Sequence, residues 1–251
     1  MNKEKIIVAL DVETAAEARQ IIADLRTEVG AFKIGLQLFT SAGASFVRET
    51  IAAGIKLFLD LKFHDIPNTV AKASIEAARL GVWMFNVHAV GGGEMMRRTV
   101  EGVCEVCERE RLIKPKIIGV TVLTSADRKT LKEVGIEREI EAQVLNLARL
   151  TAECGLDGIV ASPLEIEAIR ANVEKEDFLI VTPGIRSRPA TVGNQQSDKE
   201  ARIVGTSDDQ KRVMTAKDAT AAGANYLVIG RPILQAENRI AAARKIIEEI
   251  A

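Results

Sequence analysis

Aromatic side chains are scarce: one Trp, one Tyr and seven Phe make up 4% of the 251 residues. So few rings leave little platform for stacking single-stranded bases. Charge of one sign is not in excess either. The 34 Lys and Arg face 35 Asp and Glu, a formal net charge of −1, which argues against electrostatic capture of nucleic acid. Thiols and imidazoles are few, with only Cys104, Cys107 and Cys154 and only His64 and His88. An odd number of cysteines without a second pair makes neither a disulfide nor a zinc framework and fits a reducing compartment. Cys104 and Cys107, three apart in a helical stretch, share one face and read as packing groups. No run of 18 apolar residues occurs, and the apolar stretch 6–10 is too short for the core of a signal sequence. A soluble, cytoplasmic protein is expected, with no nucleic-acid or membrane partner.

Hydrophobic residues reach 47% and charged residues 27%, ordinary proportions for a domain that buries a core without cross-links. Short, β-branched apolar runs recur at 6–10, 32–35, 57–62, 84–89, 116–123, 158–162, 179–185 and 226–230. The segments between and after them, 15–28, 44–53, 70–80, 94–111, 137–153, 164–172, 216–222 and 237–250, carry apolar residues at i, i+3 and i+4. The mean unit is about 31 residues, the size of a strand plus its covering helix. Eight such units form either an open doubly wound sheet or a closed (β/α)8 barrel of the TIM type. Polar residues stand at the ends of nearly all the runs, which favours the barrel, because its strand ends converge on one mouth. The whole chain, 1–251, then forms one domain. Between 186 and 212 the apolar rhythm stops, and that polar stretch is longer than most structureless loops. Following strand seven, residues 187–209 read as a mobile, phosphate-binding lid over the mouth.

The densest chemical signal is Leu57-Phe-Leu-Asp60-Leu-Lys62-Phe-His-Asp65-Ile-Pro-Asn-Thr69. Alternation along a strand puts Phe58, Asp60 and Lys62 on one face and Leu57, Leu59, Leu61 and Phe63 on the other. The apolar face meets the helices, so Asp60 and Lys62 point into the mouth, where buried charges need partners. Pro67 keeps Ile66 extended and leaves Asp65 on the loop, within reach of this chain's site or a neighbour's. Asp11 closes the first run, Lys33 lies within the second, and His88 ends the fourth, its role open between packing and ligand contact. Carboxylates set around each lysine favour its protonated form, which suits proton donation rather than imine chemistry. At the last strand, Gly230 permits close backbone approach and Arg231 adds a cation; Arg186, after the Thr182-Pro-Gly turn, brings a second to the same corner. A phosphorylated small molecule fits this pair of turns.

Taken together, Asp60-Leu-Lys62-Phe-His-Asp65-Ile-Pro-Asn-Thr69, Val181-Thr-Pro-Gly-Ile-Arg186, Asp209-Gln210 and Val228-Ile-Gly-Arg231-Pro closely resemble the orotidine 5′-phosphate decarboxylase family over essentially the whole chain. The resemblance implies conversion of orotidine 5′-phosphate to uridine 5′-phosphate in de novo pyrimidine biosynthesis, by a homodimer with shared sites and with no metal or organic cofactor. It implies that Lys62 donates a proton to C6 of the pyrimidine and that Asp60 is set against the departing carboxylate. Asp65 and Thr69 would serve the partner's site, and Asp11 and Lys33 would contact the ribose, with Lys33 also bonding Asp60. Thr124 and Ser162 match positions near the base and the mouth. Arg186, Gln210, Gly230 and Arg231 match the phosphate-gripping set, with Gln195 a rival for the place of Gln210. The stretch from 187 to 207 departs from the family in its length. Rival readings are a metal-dependent sugar-phosphate aldolase or epimerase on the same barrel, and a non-catalytic barrel that senses phosphorylated pyrimidines.

Overall fold

The computed structural model describes residues 2–186 and 212–250. The expected lid and Gln195 and Gln210 lie outside the described residues. Eight short strands carry the apolar runs: β1 Ile6–Ala9, β2 Ala31–Gly35, β3 Leu57–Phe63, β4 Met84–His88, β5 Lys116–Val120, β6 Gly158–Val160, β7 Leu179–Thr182 and β8 Tyr226–Ile229. All pair in parallel in chain order, and β8 returns to β1 through Ile7 opposite Val228, so the sheet closes into a (β/α)8 barrel. Around it lie α1 Ala15–Leu25, α2 Leu36–Ala52, α3 Pro67–Leu80, α4 Gly92–Glu110, α5 Arg128–Glu133, α6 Ile140–Glu153, α7 Ile166–Asn172, α8 Ala216–Ala221, α9 Arg231–Leu234 and α10 Arg239–Glu249. No described helix is long and apolar enough to cross a membrane.

Local chemistry sets the helix starts. The hydroxyls of Thr14 and Thr215 accept from the N–H groups of Glu17 and Asp218, and Asp127 and Asn238 cap α5 and α10 in the same way. Each such cap contributes roughly 1 kcal/mol. Pro67 begins α3, where its missing N–H costs nothing, and Gly81 ends that helix in the left-handed region at φ 81°.

The two faces of the strands make two cores. Ile7, Ala9, Ala31, Phe58, Met84, Ile118, Val181 and Val228 fill the barrel, and Trp83 meets Tyr226 edge-on at 5.1 Å. Ile6, Val8, Phe32, Ile34, Leu57 and Leu59 face outward into the helical layer. Truncating a buried residue such as Leu59 to Ala would cost about 2–5 kcal/mol. The inward rows place the site: two residues above Ala9, Ala31, Phe58 and Met84 stand Asp11, Lys33, Asp60 and Asn86. Charge replaces hydrocarbon at the top of the barrel.

Some boundaries differ from the sequence reading. The helix expected at 44–53 starts at Leu36 instead, and Gly43, at φ 69°, interrupts it and hides its first turns from a periodicity search. The fifth strand ends at Val120 rather than 123, and α5, capped by Asp127, was not anticipated. The seventh ends at Thr182, because Pro183 has no N–H and Gly184 turns left-handed at φ 80°; Ile185 only bridges Met214.

Candidate active site

A cavity of about 820 Å3 opens at the C-terminal ends of the strands. Asp11, Lys33, Asp60 and Lys62 are among its lining residues, as are Thr124, Ser125, Arg186, Gly230, Arg231 and Gln235. Asp65 and Thr69 do not line it; both are exposed on the rim at the start of α3. Ser162 is fully buried, and its hydroxyl accepts from the N–H of Leu164 at 3.3 Å. His88 stands 5.5 Å from the His64 ring, outside the lining, and its buried Nδ1 has no hydrogen-bond partner among the described residues.

Four charges form a chain. The Nζ of Lys62 donates to Oδ1 of Asp60 at 2.8 Å, the other oxygen of Asp60 lies 3.2 Å from the Nζ of Lys33, and Lys33 donates to Asp11 at 3.3 Å. Lys33 and Asp60 are each 8% exposed. Burial by itself would raise the Asp60 carboxyl, but the ammonium groups of Lys33 and Lys62, with hydrogen bonds from Lys62 and Asn86, outweigh it and hold the carboxyl below its usual range. Burial likewise opposes the Lys33 ammonium, and Asp60 and Asp11 outweigh it, so Lys33 holds its proton more tightly than an ordinary lysine. Among the described residues no three His, Cys, Asp or Glu side chains gather as a metal site. Both oxygens of Asp60 are already engaged by ammonium groups.

Lys62 reaches this position through an irregularity. Its φ is 52°, a left-handed backbone rare outside glycine, and the pairing of β3 with β4 shifts register between Leu59 and Phe63. Asn86 supports the distortion: its Oδ1 accepts from the backbone N–H of Lys62 at 2.8 Å, and its Nδ2 donates to Asp60 at 2.7 Å. Sequence reasoning missed Asn86, although a polar residue two positions above Met84 on an inward row was a readable signal. It also missed the buried pair of Arg212 and Glu165, 47 residues apart in sequence, which no local pattern links.

The sequence model described as "Orotidine 5′-phosphate decarboxylase / HUMPS family" matches residues 4–246. A protein of Syntrophotalea carbinolica named orotidine 5′-phosphate decarboxylase is 48% identical over 249 residues, 99% of this chain and 96% of the relative. One of the same name from Trichlorobacter lovleyi is 50% identical over 249 residues, 99% of this chain and 95% of the relative. Among solved structures, the orotidine 5′-phosphate decarboxylase of Lactobacillus acidophilus superposes with a TM-score of 0.80 at 34% identity, covering 98% of each chain. Motif, barrel and full-length similarity agree: the chain belongs to the orotidine 5′-phosphate decarboxylase / HUMPS family.

Proposed function

We propose that this protein decarboxylates orotidine 5′-phosphate to uridine 5′-phosphate, with Lys62 as the proton donor to C6. The observation that carries the reading is the unbroken Asp11–Lys33–Asp60–Lys62 chain on the cavity wall. Loss of CO2 from the ring leaves an electron pair at C6, and a cation already in place stabilises that charge without reorganising. Lys62 is such a cation, and it donates a proton to the electron pair that the broken carbon–carbon bond leaves on C6. Asp60, held ionised by two ammonium groups, is set against the substrate carboxylate, whose repulsion eases as CO2 leaves. Asp11 and Lys33 take the ribose hydroxyls, and Thr124 the base.

Arg186, Gly230 and Arg231 bind the phosphate; Gln210, which the family resemblance adds to this set, lies outside the described residues. A bidentate guanidinium suits a phosphate, and Gly230, just ahead of α9, carries no side chain to stand in its way. Grip on this remote group supplies binding energy for ordering and desolvating the reacting one.

The working unit is a homodimer in which Asp65 and Thr69 serve the partner's site. The support is that large apolar side chains just after three successive strands are exposed, Leu36 58%, Ile66 67% and Val90 46%, with the exposed Asp65 adjoining Ile66. Its location is the cytoplasm, in keeping with three unpaired thiols.

The deciding assay follows orotidine 5′-phosphate absorbance with purified protein in excess EDTA. Loss of the substrate band and formation of uridine 5′-phosphate are expected. No turnover would remove this assignment: tight binding that leaves the substrate unchanged would favour the non-catalytic sensor, and a chelator-sensitive activity on another sugar phosphate the aldolase or epimerase.

A further inference from the structure

Arg212 and Glu165 are 9% and 4% exposed and take no part in the chemistry above. Their side chains pair directly. Through Nη2, Arg212 also donates to the carbonyls of Leu123 at 2.9 Å and Val122 at 3.3 Å. One guanidinium thus ties the connections after β5 and β6 to the stretch leading into α8. Val122, Leu123, Thr124 and Ser125 all line the cavity. Two residues beyond Arg212, the carbonyl of Met214 accepts from the N–H of Arg186 at 3.0 Å, and its own N–H donates to Gly184 at 3.2 Å.

As a stabilising device this arrangement is poor. Removing two charges from water is costly, and an apolar pair of similar volume commonly does as well or better. Here the cost is only partly offset, since Oε2 of Glu165 and Nε of Arg212 are buried without hydrogen-bond partners among the described residues. Burial pushes the Glu165 carboxyl upward even with Arg212 beside it. What an apolar pair cannot do is hold two backbone carbonyls.

Building on the decarboxylase reading, we infer that Arg212, braced by Glu165, is a positioning residue that fixes the Val122–Leu123 backbone and thereby sets Thr124 and Ser125 against the substrate. Its own backbone, through Met214, keeps Arg186 in register with them. The substrate's base and phosphate sides are thus aligned through one buried group.

The test compares the full-length wild type with three variants: Arg212→Met combined with Glu165→Leu, Arg212→Lys, and Glu165→Gln. Melting temperature, kcat and KM for orotidine 5′-phosphate are measured on each. The apolar pair is expected to fold with a melting temperature near or above wild type yet to lose about 10- to 100-fold in kcat/KM, the scale of a roughly 1 Å misplacement. Arg212→Lys should recover part of that loss, and Glu165→Gln, which leaves both carbonyl bonds in place, should lose least. A folded apolar-pair variant with wild-type kcat/KM overturns the positioning role. If that variant does not fold, wild-type kcat/KM in Arg212→Lys overturns it, and a graded loss at unchanged melting temperature supports it. An inactive wild type removes the assigned reaction and this role with it, whereas an active wild type matched by its variants removes the role alone.

Discussion

The Nζ of Lys62 lies 2.8 Å from Oδ1 of Asp60, although a single residue separates the two on β3. Side chains two apart on a regular strand point the same way without converging. The left-handed backbone at Lys62 makes the contact close, and Asn86 holds both members. Asn86→Leu should therefore destabilise the fold by about 1–3 kcal/mol, because it strands the partly buried N–H of Lys62 and removes a donor from a buried carboxylate. Turnover should fall with it. Chemical denaturation decides this: an unchanged midpoint would mean that these bonds contribute nothing to stability.

Lys62→Ala and Asp65→Asn proteins should each be nearly inactive. Mixing and re-equilibrating the two should restore activity, since one site of each heterodimer then combines a native Lys62 with a native Asp65. Restored turnover is expected wherever mass analysis detects heterodimers. Heterodimers without activity would return Asp65 to its own chain's site.

Arg231→Ala should weaken catalysis through the phosphate. A charge-assisted contact of this kind contributes about 1.5–3 kcal/mol, or roughly 10- to 100-fold in kcat/KM. With the unphosphorylated nucleoside the variant and the wild type should differ little. An equal loss on both substrates would place Arg231 away from the phosphate.

His88 carries a pH signature. Burial, then the neighbouring His64 and Lys62, depress its pKa, and Asp60 only partly opposes them. Its neutral form belongs to the folded state. The stability it contributes is present above the unfolded value of about 6.5 and is lost as pH falls through the lower folded value. Between pH 7.5 and 5 the wild type should lose more stability than His88→Gln. Parallel profiles would show that His88 titrates alike in both states.

Alternation along β3 was enough to aim Asp60 and Lys62 at the mouth, because the apolar Leu57 and Leu59 must face the helices. It did not reveal that Lys62 leaves the regular strand, since a bulge depends on the pairing with β4. Asp11 and Lys33 were legible as charged residues that close or interrupt apolar runs. Ser162 matched a family position near the base and the mouth; that its oxygen also accepts from the N–H of Leu164 depends on the backbone direction after β6. Gly43 and Pro183 each displaced an element boundary through backbone geometry that hydropathy patterns do not record.

Periodicity and strand-end polarity, read along the chain, sufficed for eight βα units, a closed barrel and a mouth rich in Asp and Lys, because these follow from which side chains can be buried on which face. The joining of Lys33 to both Asp11 and Asp60, the support from Asn86 and the bracing of Arg212 by Glu165 arise only when distant strands close into a ring. Hydrogen bonds act over about 3 Å, and no spacing along a chain specifies which buried groups come that near.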